Sequence, residues 1–234
     1  MPLSAHEPDQ RDDPSNPKIR IASSTASSRA GYNLSFIAAS LRPDLMRIVA
    51  DAYLEAGDWI RAKDQILSSN ALQCRSAKSA IRFERELRVR LQTLTHDQLL
   101  LAAKATTEDR TAMAWLAACK HISFAFDFAA DVLREKLAAH DLVLRPSDYE
   151  GYLENKSLSH PELTRLAVSS KYKVRQILLR MLTEAGLLVP GAAWGTLQRP
   201  ALSPEVVRVI IADNPHWLAA FLFPDAEIPR RQAP

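Results

Sequence analysis

The sequence predicts a mainly α, multi-helical protein that ends in a winged-helix-like helix-turn-helix with a small β wing. Three observations carry this expectation. Helix-start signals recur along the chain, each followed by apolar residues at helical spacing. Only six glycines occur in 234 residues, too few for the dense turns of an all-β architecture. The helical pattern breaks clearly after Gly186, where Leu187-Leu188-Val189-Pro190 and Gly191 to Gly195 lead into Thr196-Leu197-Gln198. That break suits two short strands joined by a glycine-bounded loop, a wing.

The elements follow in order. Residues 1–30 are rich in Pro, Ser, Asp and Arg and lack aliphatic clustering, so they read as a disordered N-terminal arm, with Ile19-Arg20-Ile21 as a possible short strand or clamp. A helical domain is predicted over 31–140. Arg42-Pro43-Asp44 opens a helix whose apolar face carries Leu45, Ile48, Val49, Ala52 and Tyr53 and which stops at Gly57. Asp58 caps the next helix, and Ser68-Ser69-Asn70 interrupts it. A long basic helix covers 75–94, with Ala77, Ala80, Phe83, Leu87 and Leu91 as its apolar stripe. Thr95 with Gln98 forms a capping box, and Thr106 with Asp109 starts a further helix through Met113, Trp115 and Leu116. That helix and its successor, through Phe124, Phe128, Val132 and Leu133, are apolar enough to form the bundle core. A winged-helix-like domain is predicted over 141–223, with helix starts at Ser147 with Glu150, Ser159 with Glu162, and Ser203-Pro204-Glu205. Residues 224–234 read as a flexible tail.

Composition sets the functional limits. Apolar residues make up 47% and charged residues 24%, ordinary for a globular protein, and the net charge is only +3. Any polyanion site must therefore be a local patch. Segments 75–90 and 165–180 are basic, whereas 44–58 and 148–154 lean acidic. The first residues lack a basic then apolar leader pattern, and runs such as Pro215 to Phe223 are shorter than the ~20 residues of a spanning helix. The expectation is a cytoplasmic protein with no membrane contact. Cys74 and Cys119 lack metal-ligand spacing and read as reduced, packed thiols.

Catalysis finds little support. There is no phosphate-binding glycine loop, no dinucleotide fingerprint, and no Cys or His cluster at zinc spacing. His160 beside Pro161 reads as a helix-start residue. Asp127 and Asp131, one turn apart, imitate a carboxylate pair, but such a pair more often faces solvent. No catalytic residue, metal or cofactor is assigned.

The informative stretch is 159–188. No acidic residue interrupts it between Glu162 and Glu184, while Arg165, Lys171, Lys173, Arg175 and Arg180 fall inside. In a helix starting near Lys171, Val174, Ile177, Leu178, Met181, Leu182 and Ala185 form one stripe, and Tyr172, Lys173, Gln176, Arg180 and Thr183 lie opposite. Leu163, Leu166 and Ala167 give the preceding short helix a face to pack on that stripe. This is the pattern of a recognition helix on a scaffold helix, and its predicted partner is double-stranded DNA. Lys173 and Gln176 suit base edges. Ser169 and Ser170 suit phosphate at the helix start, and Arg165, Lys171, Arg175 and Arg180 suit the DNA backbone.

The helix at 75–94 offers a second site. Six basic residues from Arg75 to Arg90 face only Glu84 and Glu86, a local net of +4. Arg75, Lys78, Arg82 and Arg85 lie opposite the apolar stripe. Against this, Arg82 with Glu86 and Arg88 with Glu84 are spaced as ion pairs, so a salt-bridged solvated helix is the competing reading.

Several ordered segments carry a family resemblance: Tyr32-Asn33-Leu34-Ser35, Ala56-Gly57-Asp58-Trp59, Leu72-Gln73-Cys74-Arg75-Ser76, His160-Pro161-Glu162-Leu163, Arg175-Gln176-Ile177-Leu178 and Glu184-Ala185-Gly186-Leu187-Leu188. Together, from Tyr32 to Phe223, they resemble the BrxA family of BREX phage-exclusion systems. The resemblance implies a small, non-catalytic, DNA-binding component of an anti-phage locus that works beside a methyltransferase, an ATPase and other defence-system proteins. It also implies a likeness to the helical antitermination protein NusB. Two alternatives therefore stand beside DNA binding: an RNA-binding NusB-like protein and a protein-protein adaptor within a defence complex. The oligomeric state stays open.

Overall fold

Local signals place the helix boundaries in the computed structural model, which describes residues 31, 32, 34 and 40–230. The arm at 1–30, with Ile19-Arg20-Ile21, and residues 231–234 lie outside the described residues. Pro43 opens α1 (Pro43–Ala56), and Gly57 ends it in the left-handed region at φ 68°. The Asp58 carboxylate accepts from the amides of Ile60 and Arg61 and starts α2 (Trp59–Ser68). Ser76 caps α3 (Ala77–Leu91), shorter at both ends than the predicted 75–94. The Thr95–Gln98 capping box starts α4 (His96–Lys104), and Thr106 caps α5 (Thr107–His121), as expected. The next helix runs as α6 (Ser123–Phe128), a π-helical turn (Ala129–Leu133) and α7 (Arg134–Ala138).

The core lies where the apolar middle of the sequence predicts it. Every residue of α5 from Ala112 to Cys119 is buried, with Phe124, Phe128 and Leu133 beside them. The Trp115 indole donates to the Ala220 carbonyl at 2.8 Å, satisfying its one polar group inside the core. Cys119 is buried, Cys74 is half-buried, and both are free thiols.

The C-terminal part runs β1 (Val143–Leu144), α8 (Pro146–Ser157), α9 (Pro161–Thr164), α10 (Val168–Glu184), β2 (Leu188–Val189), β3 (Gly195–Leu197) and α11 (Pro204–Asp213), then a 3-10 helix over Pro215–Phe221. The three strands form an antiparallel sheet in the order β1-β3-β2. Leu144 stands opposite Gly195, and Leu188 opposite Leu197. The hairpin is the expected one; β1 was not anticipated, because two residues carry no alternation to read. Gly195 is required at its place. Its φ is +135°, and a Cβ would lie 2.5 Å from the Val189 carbonyl oxygen.

Two expected capping boxes are absent. Helix α8 starts at Pro146 instead of after Ser147, and Asp148 accepts from the Arg145 amide at 2.7 Å, so the proline outranks the serine as a start signal. Helix α9 follows His160, and Glu162 is drawn away from Ser159 by the Tyr32 amide at 2.6 Å and the His160 ring at 3.1 Å.

The segment before α1 ties these parts together. The Tyr32 ring stacks on His160 with centroids 4.0 Å apart, and its hydroxyl donates to Asp127 at 2.6 Å. The Ser40 carbonyl accepts from Arg90 at 2.8 Å, and the Leu41 amide donates to Glu184 at 2.8 Å. Residues 40 and 41 thus connect the C-terminal end of α3 to that of α10. At the other terminus, Phe223 and Ile228 pack on the core, and Glu227 pairs with Arg199 at 2.7 Å.

Candidate nucleic-acid interface

Helix α10 is anchored on one side and open on the other. Val174, Leu178, Met181 and Leu182 are buried, with Ile177 and Ala185 half-buried beside them, as the predicted stripe requires. Each of the four buried side chains contributes about 1.5–3 kcal/mol of apolar burial, which fixes the rotation of the helix. Leu163 of α9 is fully buried. Ser169, Tyr172, Lys173, Gln176, Arg180 and Thr183 are exposed on the opposite side. The helix begins at Val168, three residues before the predicted start, because the Ala167 carbonyl already accepts from Ser170 and Lys171. Ser169 and Ser170 therefore belong to its first turn, Ser169 exposed and Ser170 half-buried.

The five cations of this stretch fall into three environments. Arg165 and Lys173 are exposed and Lys171 half-exposed, and none of the three has a carboxylate partner among the described residues. The Arg175 guanidinium lies over the Tyr172 ring at 5.2 Å and the Trp194 ring at 5.5 Å, which joins the hairpin loop to α10 through two cation–π contacts. Arg180 donates to Glu184 at 2.9 Å, and the other Glu184 oxygen holds the Leu41 amide. Its charge is thus already partly compensated.

Helix α3 presents a cleaner cationic face than its sequence suggests. Arg75, Lys78, Arg82 and Arg85 are all exposed, without a carboxylate partner among the described residues. Both glutamates turn inward. Glu84 is 1% exposed and accepts from Arg88 at 2.7 Å, while Glu86 accepts from the fully buried Arg90 at 2.7 Å. The expected Arg82–Glu86 pair is therefore absent: Glu86 serves Arg90, whose buried charge would otherwise be far costlier than an exposed one. The Arg82 guanidinium instead lies 5.6 Å over Phe83, which also holds Arg42 at 5.2 Å.

The remaining titratable clusters stabilise the fold. Lys156 bridges Asp131 at 2.9 Å and Asp127 at 3.4 Å, so these aspartates form an ion-paired group in which Asp131 stays exposed and Asp127 is half-buried. Burial acts to lower the Lys156 pKa, but the Asp131 hydrogen bond and the charge of Asp127 outweigh it and raise the pKa. Among the described residues, no three His, Cys, Asp or Glu side chains converge on a possible metal position, and no helix is long and apolar enough to cross a membrane.

The sequence profile of the BrxA family matches residues 30–214, which include α3, α10 and the hairpin. The chain belongs to the BrxA family. Among its relatives, the BREX protein BrxA of Escherichia coli O9:H4 (strain HS) is 27% identical over 164 residues, covering 70% of this chain and 76% of the relative. The BREX protein BrxA of Bacillus cereus (strain H3081.97) is 24% identical over 150 residues, 64% of this chain and 75% of the relative. The crystal structure of an uncharacterized protein from Magnetospirillum magneticum shares the fold with a TM-score of 0.69 at 22% identity, covering 82% of this chain and 98% of that one.

Two residues of this BrxA-family surface escape a reading of charge and period. Trp194 lies in the hairpin loop, and only its place inside the glycine-bounded run hinted at a role. Val168, before the expected helix start, stands open to solvent.

Proposed function

We propose that this chain is a non-catalytic, cytoplasmic protein that binds duplex DNA, with α10 as its principal contact and α3 as a second. Membership of the BrxA family makes it a component of a BREX anti-phage defence system. One observation carries the DNA reading: the outward faces of α10 and α3 gather cations, while the carboxylates of both helices are turned inward or engaged by protein groups. A surface that presents positive charge in helical rows and hides its own negative charge matches a phosphate backbone.

The order β1, α8, α9, α10, β2, β3 with a β1-β3-β2 sheet supports the winged-helix reading of this part, α10 being the recognition helix. Lys173 and Gln176 face base edges, and Arg165, Lys171 and Ser169 meet phosphates. Arg175 holds the wing, and Arg180 flanks the face. On α3, Arg75, Lys78, Arg82 and Arg85 meet phosphates of the same or a neighbouring duplex. Other proteins of the defence system are its expected partners.

The test is competition. A labelled duplex bound to the full chain at low salt is challenged with unlabelled duplex DNA, with structured RNA and with single-stranded RNA. Duplex DNA should displace the probe at the lowest concentration, and Lys173→Glu should weaken the complex at least tenfold. Preferential displacement by RNA would move the protein to the antitermination type. No complex with either nucleic acid, together with capture of a purified protein of the same system, would make it an adaptor.

A further inference from the structure

We infer that the outward face of α10 reads thymine methyl groups, so that its target is duplex DNA containing A·T pairs; this rests on the duplex-binding reading above. Val168 is 86% exposed and Tyr172, one helical turn on, is 55% exposed. Gln176 and Arg180 continue the same row of the helix. The row therefore presents an aliphatic group, an aromatic group, an amide and a guanidinium in succession.

The surroundings of the apolar pair select its partner. Arg165, Lys171 and Lys173 bracket it without carboxylate partners among the described residues, and Arg175 lies against the Tyr172 ring. The single carboxylate of α10, Glu184, is at the far end and already holds Arg180 and the Leu41 amide. A complementary surface must thus offer negative charge on both sides of small apolar groups. The major groove supplies that combination: the C5-methyl of thymine projects between two phosphate rows. Gln176 strengthens the assignment, because a carboxamide pairs bidentately with N6 and N7 of adenine, the base opposite thymine.

Two duplexes of identical sequence, one with thymidine and one with deoxyuridine throughout, differ in this groove by the methyl groups. Their affinities for the full-length protein are compared at fixed salt by fluorescence anisotropy. We expect the uracil duplex to bind about four-fold more weakly for each methyl that is covered. Val168→Ala should shrink that ratio while the protein keeps its thermal stability, since this side chain lies outside the core. Equal affinity for the two duplexes would overturn the inference and leave duplex binding intact, whereas loss of binding to both would defeat the broader reading instead. Equal duplex affinities accompanied by Val168-dependent binding to phosphatidylglycerol vesicles would overturn it in favour of an anionic membrane surface.

Discussion

The salt dependence of duplex binding counts the cations that meet phosphate, and the structure gives the number to expect. Seven basic side chains on the two faces lack a carboxylate partner among the described residues: Arg165, Lys171 and Lys173 at α10, and Arg75, Lys78, Arg82 and Arg85 at α3. At about −0.9 in log Kobs against log salt per phosphate contact, engagement of both faces predicts a slope near −6, and engagement of α10 alone a slope near −3. Between about 50 and 200 mM salt these correspond to losses of several thousand-fold and of about forty-fold, a difference no binding assay would miss. The perturbations are Lys171→Ala with Lys173→Ala, and Lys78→Ala with Arg82→Ala. Each pair should flatten the slope by about 2 if its face is engaged. Arg208, which is paired with Glu205 at 2.6 Å on α11, is the control, and Arg208→Gln should leave the slope unchanged. The assay is anisotropy of a labelled duplex about two helical turns long, repeated at four or more salt concentrations. Slopes unaltered by both double variants, or altered equally by the control, would refute the reasoning.

Three further outcomes concern the scaffold. Arg90→Ala strands the Glu86 carboxylate and the Ser40 carbonyl in the interior, and should cost about 3–5 kcal/mol in denaturant unfolding; a loss under 1 kcal/mol would mean that the buried pair is dispensable. Gly195→Ala places a methyl against the Val189 carbonyl at a backbone conformation L residues avoid, so a loss of about 1–3 kcal/mol is expected, and a thermal midpoint equal to wild type would contradict it. The Asp141 carboxyl is drawn down to about 2 by hydrogen bonds from Lys136 and then Arg145. Its folded-state pKa is below its unfolded value, so its contribution is present above the ordinary aspartate range and is lost as pH falls toward 2. Asp141→Asn should therefore flatten the acid side of the stability profile, and a carboxyl NMR titration midpoint near 4 would contradict the assignment.

Much of the architecture was legible because its signals are local. Asp58, Thr95, Thr106 and Ser203 each cap the helix that their neighbours announce, since a side-chain oxygen and an amide three positions on need no tertiary help. The apolar stripes of α3 and α10 were readable for a similar reason: one helical period fixes which residues share a face. Where capping went astray, at Ser147 and Ser159, a proline or a distant donor had the stronger claim. The Tyr32 amide comes from 130 positions away to occupy Glu162, and spacing cannot report that.

The amino-acid sequence by itself determined the helical class, the hairpin after Gly186, the outward rows of α10 and α3, and the family resemblance, because periodicity, caps and charge order are properties of neighbours along the chain. Only the tertiary structure decided which charges remain unpartnered. It paired Glu86 with Arg90 instead of Arg82, held Arg175 between Tyr172 and Trp194, gave Glu184 to Arg180 and Leu41, and left Val168 uncovered. Helical spacing offers each charge several near neighbours, and which one it takes is set by groups far away in sequence, such as Ser40 on Arg90, Leu41 on Glu184 and Trp194 on Arg175, whose distances exist only once the chain has folded.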